Sequence, residues 1–334
     1  MIPYRNTVYS RKGQTTFMLG KLNQAPPTNE KSALIGVDWG TSSCRAYLMD
    51  SQGRILNSTT TDQGILHVKG GAFAETLEAM IGTWRRPGLP IILSGMIGSR
   101  QGWIEVPYLS VPTSFDAIAN ALVRHIDDPD IYITPGLAQN LPDEAPDVIR
   151  GEETQIIGAI GATSDRQLLI MPGTHSKWAL AETEQIIRFA TFMTGELFAV
   201  MKDHSILGRL MVKNGVPHNN TAFKRGLDAV ATLPGGLLQH LFSARTLSLF
   251  DQLPAESIAD YLSGLLIGHE LKEAFQTFNM SSDLPPITVI GASALAQRYV
   301  AALEHVGLVA ETAGDHMAAC GQSRLARAAK ILPF

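Results

Sequence analysis

The sequence predicts an α/β protein of two similar lobes with a cleft between them. Three observations lead there. The chain has 334 residues, more than one compact core takes up. A meander of strands followed by a crossover helix and a further buried strand occurs twice. Glycine-hydroxyl turns stand at the ends of buried strands in both copies.

In order, 33–37 is a short apolar run that reads as a buried strand, halted by Asp38-Trp39-Gly40. A second strand spans 44–49, and Asp50-Ser51-Gln52-Gly53 turns the chain into a third at 54–59. Phe73, Leu77, Met80, Ile81 and Trp84 give helical spacing over 72–84, and 90–93 returns as a buried strand. The second copy runs through strands at 167–171, 177–180 and 185–190. A helical stretch follows over about 197–248, broken at Gly215, Pro217 and Pro234. A clear helix at 258–278, a strand at 287–290 and a helix at 293–306 complete the series. The expected division is 1–31 as a leader, 32–162 as the first lobe and 163–334 as the second. The leader is basic, with no acid before Glu30, and its only apolar cluster is Phe17-Met18-Leu19. It is expected to be unstructured or to reflect an alternative start at Met18.

Composition excludes several classes. Charged residues are 17% and apolar residues 45%, so the chain can bury a core and is not a disordered one. The net charge of −4 offers nothing broad to nucleic acid or to an anionic membrane. Two cysteines make no disulfide framework, and no apolar run is long enough to span a bilayer. A cytoplasmic protein is expected, with its oligomeric state open and a homodimer among the choices.

The sharpest local signal is VDWGTSSCR, 37–45, an acid at a strand end followed by a Gly-Thr-Ser-Ser turn. Such a turn aims backbone N–H groups and hydroxyls at one point, which suits phosphate oxygens, and Asp38 can hold a hydrated Mg²⁺ beside them. An ordinary hairpin with a capping acid carries the same letters. MPGTHSKW, 171–178, repeats the layout, and two facing hairpins can clamp a polyphosphate. A third turn, IGAS at 290–293, can lie against an adenosine. Between the hairpins, IRGEETQIIGAIG places Glu152 and Glu153 in the first turn of a helix, where the dipole favours negative charge. One acid reads as simple charge complementarity. The other reads as a carboxylate that orients and deprotonates an attacking hydroxyl or water. Gly158 and Gly161 weaken that helix, which implies close approach to the strands beside the first hairpin. Cys44 reads as core, and His204, His218 and His240 lack metal-ligand spacing.

This order of motifs resembles the sugar kinase/heat-shock protein/actin superfamily. Within it, VDWGTSSCRAYL, SGMIGSRQGWIEVPYLSVP, IRGEETQIIGA, MPGTHSKW, MTGELF and YLSGLLIGHE resemble the 2-dehydro-3-deoxygalactonokinases over roughly 33–330. The resemblance implies an actin-like ATPase (ribonuclease H-like) fold. It also implies ATP-dependent phosphorylation of the terminal 6-hydroxyl of 2-dehydro-3-deoxy-D-galactonate, a step of galactonate breakdown. Carried over residue by residue, Asp38, Gly40, Thr41 and Ser42 match the first phosphate motif, with Asp38 on Mg²⁺. Gly173, Thr174 and His175 match the second, and Gly291, Ala292 and Ser293 stand at the adenosine turn. The acid helix is also similar to that of exopolyphosphatase-type members, an alignment that points to Glu153 as the base, with Glu152 next.

The implied substrate is a carboxylate with a neighbouring ketone and several hydroxyls, so its site needs a cation and donors. Arg100, in the Ser99-Arg100 loop, is the first candidate for the carboxylate. Arg150 and Lys177 are the others, Lys177 also suiting the phosphates. Trp103 and Tyr108 can wall the sugar acid, although such aromatics also serve packing. The rival readings are an exopolyphosphatase-like phosphohydrolase and a non-catalytic actin-like nucleotide-binding module.

Overall fold

The computed structural model describes residues 32–160, 166–212, 217–280, 284–291 and 293–332. The expected leader 1–31, the expected lobe join at 162/163, Gly161, Gly215 and Ala292 lie outside the described residues.

In chain order the elements begin β1 (Ser32–Trp39), β2 (Cys44–Asp50), β3 (Ile55–Thr61), α1 (Phe73–Ile81) and β4 (Ile91–Gly95). There follow β5 (Tyr108–Ser110), β6 (Thr113–Ser114), α2 (Phe115–Asn120), β7 (Val123–Arg124) and β8 (Ile131–Ile133). Next come β9 (Gly136–Gln139), β10 (Asp147–Ile149) and α3 (Glu152–Ala159). The second copy opens with β11 (Arg166–Met171), β12 (Ser176–Glu182) and β13 (Gln185–Phe192). Four helices separate it from its next strand: α4 (Thr194–His204), α5 (Asn220–Thr232), α6 (Leu237–Leu249) and α7 (Ile258–Thr277). The chain closes with β14 (Ile287–Ile290), α8 (Ala294–His305), β15 (Ala310–Ala313) and α9 (Met317–Ala328).

Two six-stranded sheets form, in the orders β3-β2-β1-β4-β8-β7 and β15-β14-β11-β12-β13-β6, with β10-β9-β5 as a small third sheet. In the first, β1 runs antiparallel to β2 and parallel to β4. In the second, β11 has the same relation to β12 and β14. The duplicated order is that of the actin-like ATPase (ribonuclease H-like) fold. Strand β1 is an unbroken apolar run because it lies between two neighbours and is covered on both faces. Strand β3, at the sheet edge, is half exposed and rich in Thr and Ser. Between β2 and β3, Asp50 Oδ1 accepts the N–H groups of Gln52 (2.8 Å) and Arg54 (3.0 Å) and fixes the turn.

The helix at 317–328, absent from the sequence expectation, reveals how the sheets are joined. Helix α3 packs Ile156, Ile157 and Ile160 with Leu169, Met171 and Ala179 of the second sheet. Helix α9 packs Ala319 and Ala326 with Leu34, Met49 and Ile92 of the first. Helix α3 therefore packs on the second sheet, and α9 lies between the two, its Leu325 in the core of the second. A Cβ on Gly158 would stand 2.0 Å from the Met317 carbonyl oxygen, and one on Gly321 would stand 1.8 Å from that of Thr154. This corrects the expectation for Gly158, whose close neighbour is α9 rather than the strands by the first hairpin. Buried Gln322 of α9 locks the crossing, its Nε2 donating to the Val37 carbonyl and to Ser94 Oγ, both at 2.9 Å. Arg324 donates to the Ile157 carbonyl and, at 2.6 Å, to that of Ile160, satisfying the C-terminal end of α3.

Candidate active site

The first hairpin loop follows β1. Gly40 N–H donates to the Ser43 carbonyl at 2.9 Å, closing the turn. A strap at 63–66 holds it from outside: Trp39 Nε1 donates to the Gln63 carbonyl at 2.8 Å, and Ile65 N–H to that of Gly40 at 3.0 Å. Thr41 and Ser42 are left exposed. Asp38 is half-buried at the strand end, and its pKa is raised to about 6. Burial is the main cause; Arg45 opposes it and Glu152 adds to it. Cys44, at the foot of β2, is fully enclosed, and burial pushes its thiol far up, as befits a core residue.

The second loop joins β11 to β12 and also leaves its Thr174 and His175 exposed. Helix α4 backs it: Glu196 N–H donates to the Thr174 carbonyl at 2.8 Å, and His175 Nε2 stands 2.5 Å from Glu196 Oε2. Lys177 Nζ donates to the His175 carbonyl at 2.8 Å and pairs with Glu152 at 2.9 Å.

The head of α3 lies between the loops. Gly151 has φ +108°, and a Cβ on it would stand 3.0 Å from the Gly95 Cα and 3.9 Å from Asp38 Oδ1. Only glycine fits this left-handed, crowded position. The turn sends the two acids in different directions. Glu153 is fully buried, with Gly151 N–H donating to Oε2 at 2.6 Å and Thr154 Oγ1 to Oε1 at 3.0 Å. Burial first, and Glu152 second, raise its pKa to about 8. Glu152 keeps 21% of its side chain exposed, accepts Arg150 N–H at 3.0 Å, and meets Lys177. The resemblance points to Glu153 as the base, with Glu152 next; in the fold Glu153 is enclosed at the helix start, and Glu152 is the acid that keeps some exposure and meets Lys177.

A cavity of about 560 Å³ adjoins the second loop. Gly173, Thr174 and Thr194 line one end of it, and Asp260, Arg298 and Tyr299 other parts. That size suits a small molecule such as a nucleoside. Asp38 and Glu152 are not among its lining residues, whereas Gly173 and Thr174 of the second loop are. Of the adenosine turn, Gly291 has φ +121° and Ser293 caps α8, accepting Ala296 N–H at 3.3 Å. The α8 residues that line the cavity come just after them. Thr194, Asp260 and Arg298 carry no expectation from sequence; Thr194 lies within MTGELF and Asp260 just before YLSGLLIGHE, while Arg298 has no sequence signal.

The substrate candidates separate. Arg100 is 87% exposed in its side chain and pairs only loosely with Glu105, at 3.4 Å, so it is a solvated surface arginine. Ser99 spends its hydroxyl on the Met96 carbonyl at 2.7 Å. Trp103 packs on the first core with its ring 4.6 Å from that of His125, which is a packing role. Arg150 is buried, donates from Nη2 to the Val106 carbonyl at 2.6 Å, and lies 4.2 Å from the exposed Tyr108 ring. Its Nε and Nη1 have no hydrogen-bond partner.

Among the described residues, no three His, Cys, Asp or Glu side chains gather as an all-protein metal centre. A lone carboxylate still fits a hard divalent cation that takes its other ligands from water and phosphate. The raised pKa of Asp38 marks a carboxylate that such a cation would relieve.

Fold and site together define the class: a phosphotransferase on the actin-like ATPase fold. The profile of the 2-keto-3-deoxy-galactonokinase family matches residues 38–325. The 2-dehydro-3-deoxygalactonokinase of Escherichia coli (strain K12) is 35% identical over 297 residues, 88% of this chain and 97% of that protein. DgoK1 of Rhizobium meliloti (strain 1021), assigned the same activity, is 36% identical over 299 residues, 87% of this chain and 96% of its own. A crystal structure of a Sinorhizobium meliloti protein given the same assignment superposes with a TM-score of 0.81 at 35% identity, covering 88% of this chain and 98% of that one. The chain belongs to the 2-keto-3-deoxy-galactonokinase family and is a sugar-acid kinase. The phosphohydrolase and non-catalytic readings are not favoured.

Proposed function

We propose that the enzyme transfers the terminal phosphoryl group of ATP to the 6-hydroxyl of 2-dehydro-3-deoxy-D-galactonate in galactonate catabolism in the cytoplasm. The observation that carries this reading is the convergence of Asp38, Glu152 and Lys177, from the first hairpin, the head of α3 and the second hairpin. The nucleoside occupies the cavity beside α8, with Gly291 and Ser293 at its edge. The phosphates then run past Gly173, Thr174 and His175 toward the turn at Gly40, where the exposed Thr41 and Ser42 supply hydroxyl donors.

Asp38 would hold Mg²⁺, which when bound neutralises phosphate charge. Glu152 orients the acceptor hydroxyl and takes its proton, and its ion pair with Lys177 fixes its position for that task. Because phosphoryl transfer passes through a loose transition state, alignment outweighs proton removal. Arg150, whose Nε and Nη1 are buried without partners, would answer the substrate carboxylate once substrate binding uncovers them, with Arg100 the other candidate. The bodies that close on the substrates are the two six-stranded sheets with their helices, so the expected lobes 32–162 and 163–334 exchange α3, β6 and α9 across their join.

The test is ADP formation with ATP and Mg²⁺ against a panel of 2-keto-3-deoxy sugar acids. Turnover with the galactonate-derived acid above its gluconate-derived epimer is expected. ADP release that no sugar acid stimulates would overturn the reading.

A further inference from the structure

Two segments that carry the family resemblance, MTGELF and YLSGLLIGHE, have no share in the expected site, yet one buried carboxylate ties them together. Glu270, on α7, is 2% exposed. Ser176 Oγ and Trp178 Nε1 each donate to its Oε1 at 2.7 Å, and Tyr299 Oη donates to Oε2 at 2.6 Å. The Thr194 hydroxyl is a fourth partner. These donors come from β12 just past the second loop, from the start of α4, and from α8 just past the adenosine turn. Thr194 and Tyr299 also line the cavity.

No ion pair to Glu270 is present among the described residues, so its charge is held by neutral donors alone. Enclosing an uncompensated carboxylate is costly, and an apolar residue would pack that position at less expense. What the carboxylate supplies is direction: four donors from three wall elements, two of them on β12, converge on one acceptor group. We infer that Glu270 is the positioning residue of the nucleotide pocket, holding the second loop, α4 and α8 as one wall before nucleotide arrives. A wall set in advance lowers the ordering cost of binding. The inference rests on the proposed nucleotide occupancy of that cavity.

The experiment titrates the full chain with the non-hydrolysable ATP analogue AMPPNP and Mg²⁺, in the parent, Glu270→Gln and Ser176→Ala, and measures KM for ATP and for the sugar acid. Glutamine keeps the shape but turns one acceptor into a donor. Glu270→Gln is expected to weaken AMPPNP binding and raise KM for ATP by roughly 10-fold or more, with KM for the sugar acid within about 2-fold of the parent. Ser176→Ala should shift the nucleotide terms the same way by a smaller factor. Unchanged AMPPNP affinity in folded Glu270→Gln, or equal losses for both substrates, overturns the inference. Should Glu270→Gln fail to fold, unchanged affinity in Ser176→Ala overturns it alone. A parent that binds no AMPPNP removes the nucleotide reading, and the inference with it.

Discussion

Lys177 Nζ stands 2.9 Å from Glu152 Oε1, and this ion pair joins the strand after the second phosphate loop to the head of the helix that begins beside the first. The contact separates two adjacent acids that the sequence presents as alternatives. Glu152 is held in the open by a cation, while Glu153 is enclosed by its own helix turn.

Turnover should follow that separation. Glu152→Gln is expected to lower kcat by about 10²–10⁴ with little change in AMPPNP affinity. Glu153→Gln should keep kcat within about 10-fold of the parent, since the side-chain hydrogen bonds of its carboxylate among the described residues go to Gly151 and Thr154. Initial rates of ADP formation decide it, and the opposite ranking would return the base to Glu153.

Stability should fall as the solution becomes more alkaline. Glu153 titrates near 4.5 when exposed and at about 8 in the fold, so between those values the native state holds a proton that the unfolded chain has lost. Unfolding then releases a proton, and each rise in pH favours the unfolded chain. The raised pKa of Asp38, about 6 against an ordinary 3.8, acts with the same sign over the lower part of that window. Melting temperatures from pH 5 to pH 8.5 should decline more steeply in the parent than in Glu153→Gln.

Arginine substitutions should distinguish the two carboxylate candidates. Arg150→Met is expected to raise KM for the sugar acid at least ~30-fold, while Arg100→Ala leaves it within about 3-fold. Steady-state kinetics at saturating ATP measure both. Equal, small effects would remove Arg150 from the substrate site.

The helix crossing should tolerate no side chain. Gly158→Ala sets a methyl group against the Met317 carbonyl and is expected to cost about 1–3 kcal/mol or more, read as a lowered melting temperature. A melting temperature equal to the parent's would show that α3 and α9 can separate at no cost.

Much of this arrangement is legible in the residues. The two glycine-hydroxyl loops announce themselves because a buried strand must stop at a polar turn, and Asp38-Trp39-Gly40-Thr41 and Pro172-Gly173-Thr174 both do. Helix α9 is hidden because its buried side include Ala318, Ala319, Gly321 and Ala326, too small to mark an apolar stripe. Strands β5 to β10 have two to four residues each, too few for a period to register. The choice between Glu152 and Glu153 turns on the left-handed backbone at Gly151, which a sequence shows only as a glycine. Arg100 and Arg150 read alike as letters; burial alone tells them apart.

Because α9 covers the face of the first sheet at Leu34, Met49 and Ile92, a chain emerging from the ribosome keeps that face bare until residues near 328 have been made. Leu325 of the same helix completes the core of the second sheet, so neither half can finish folding before the other.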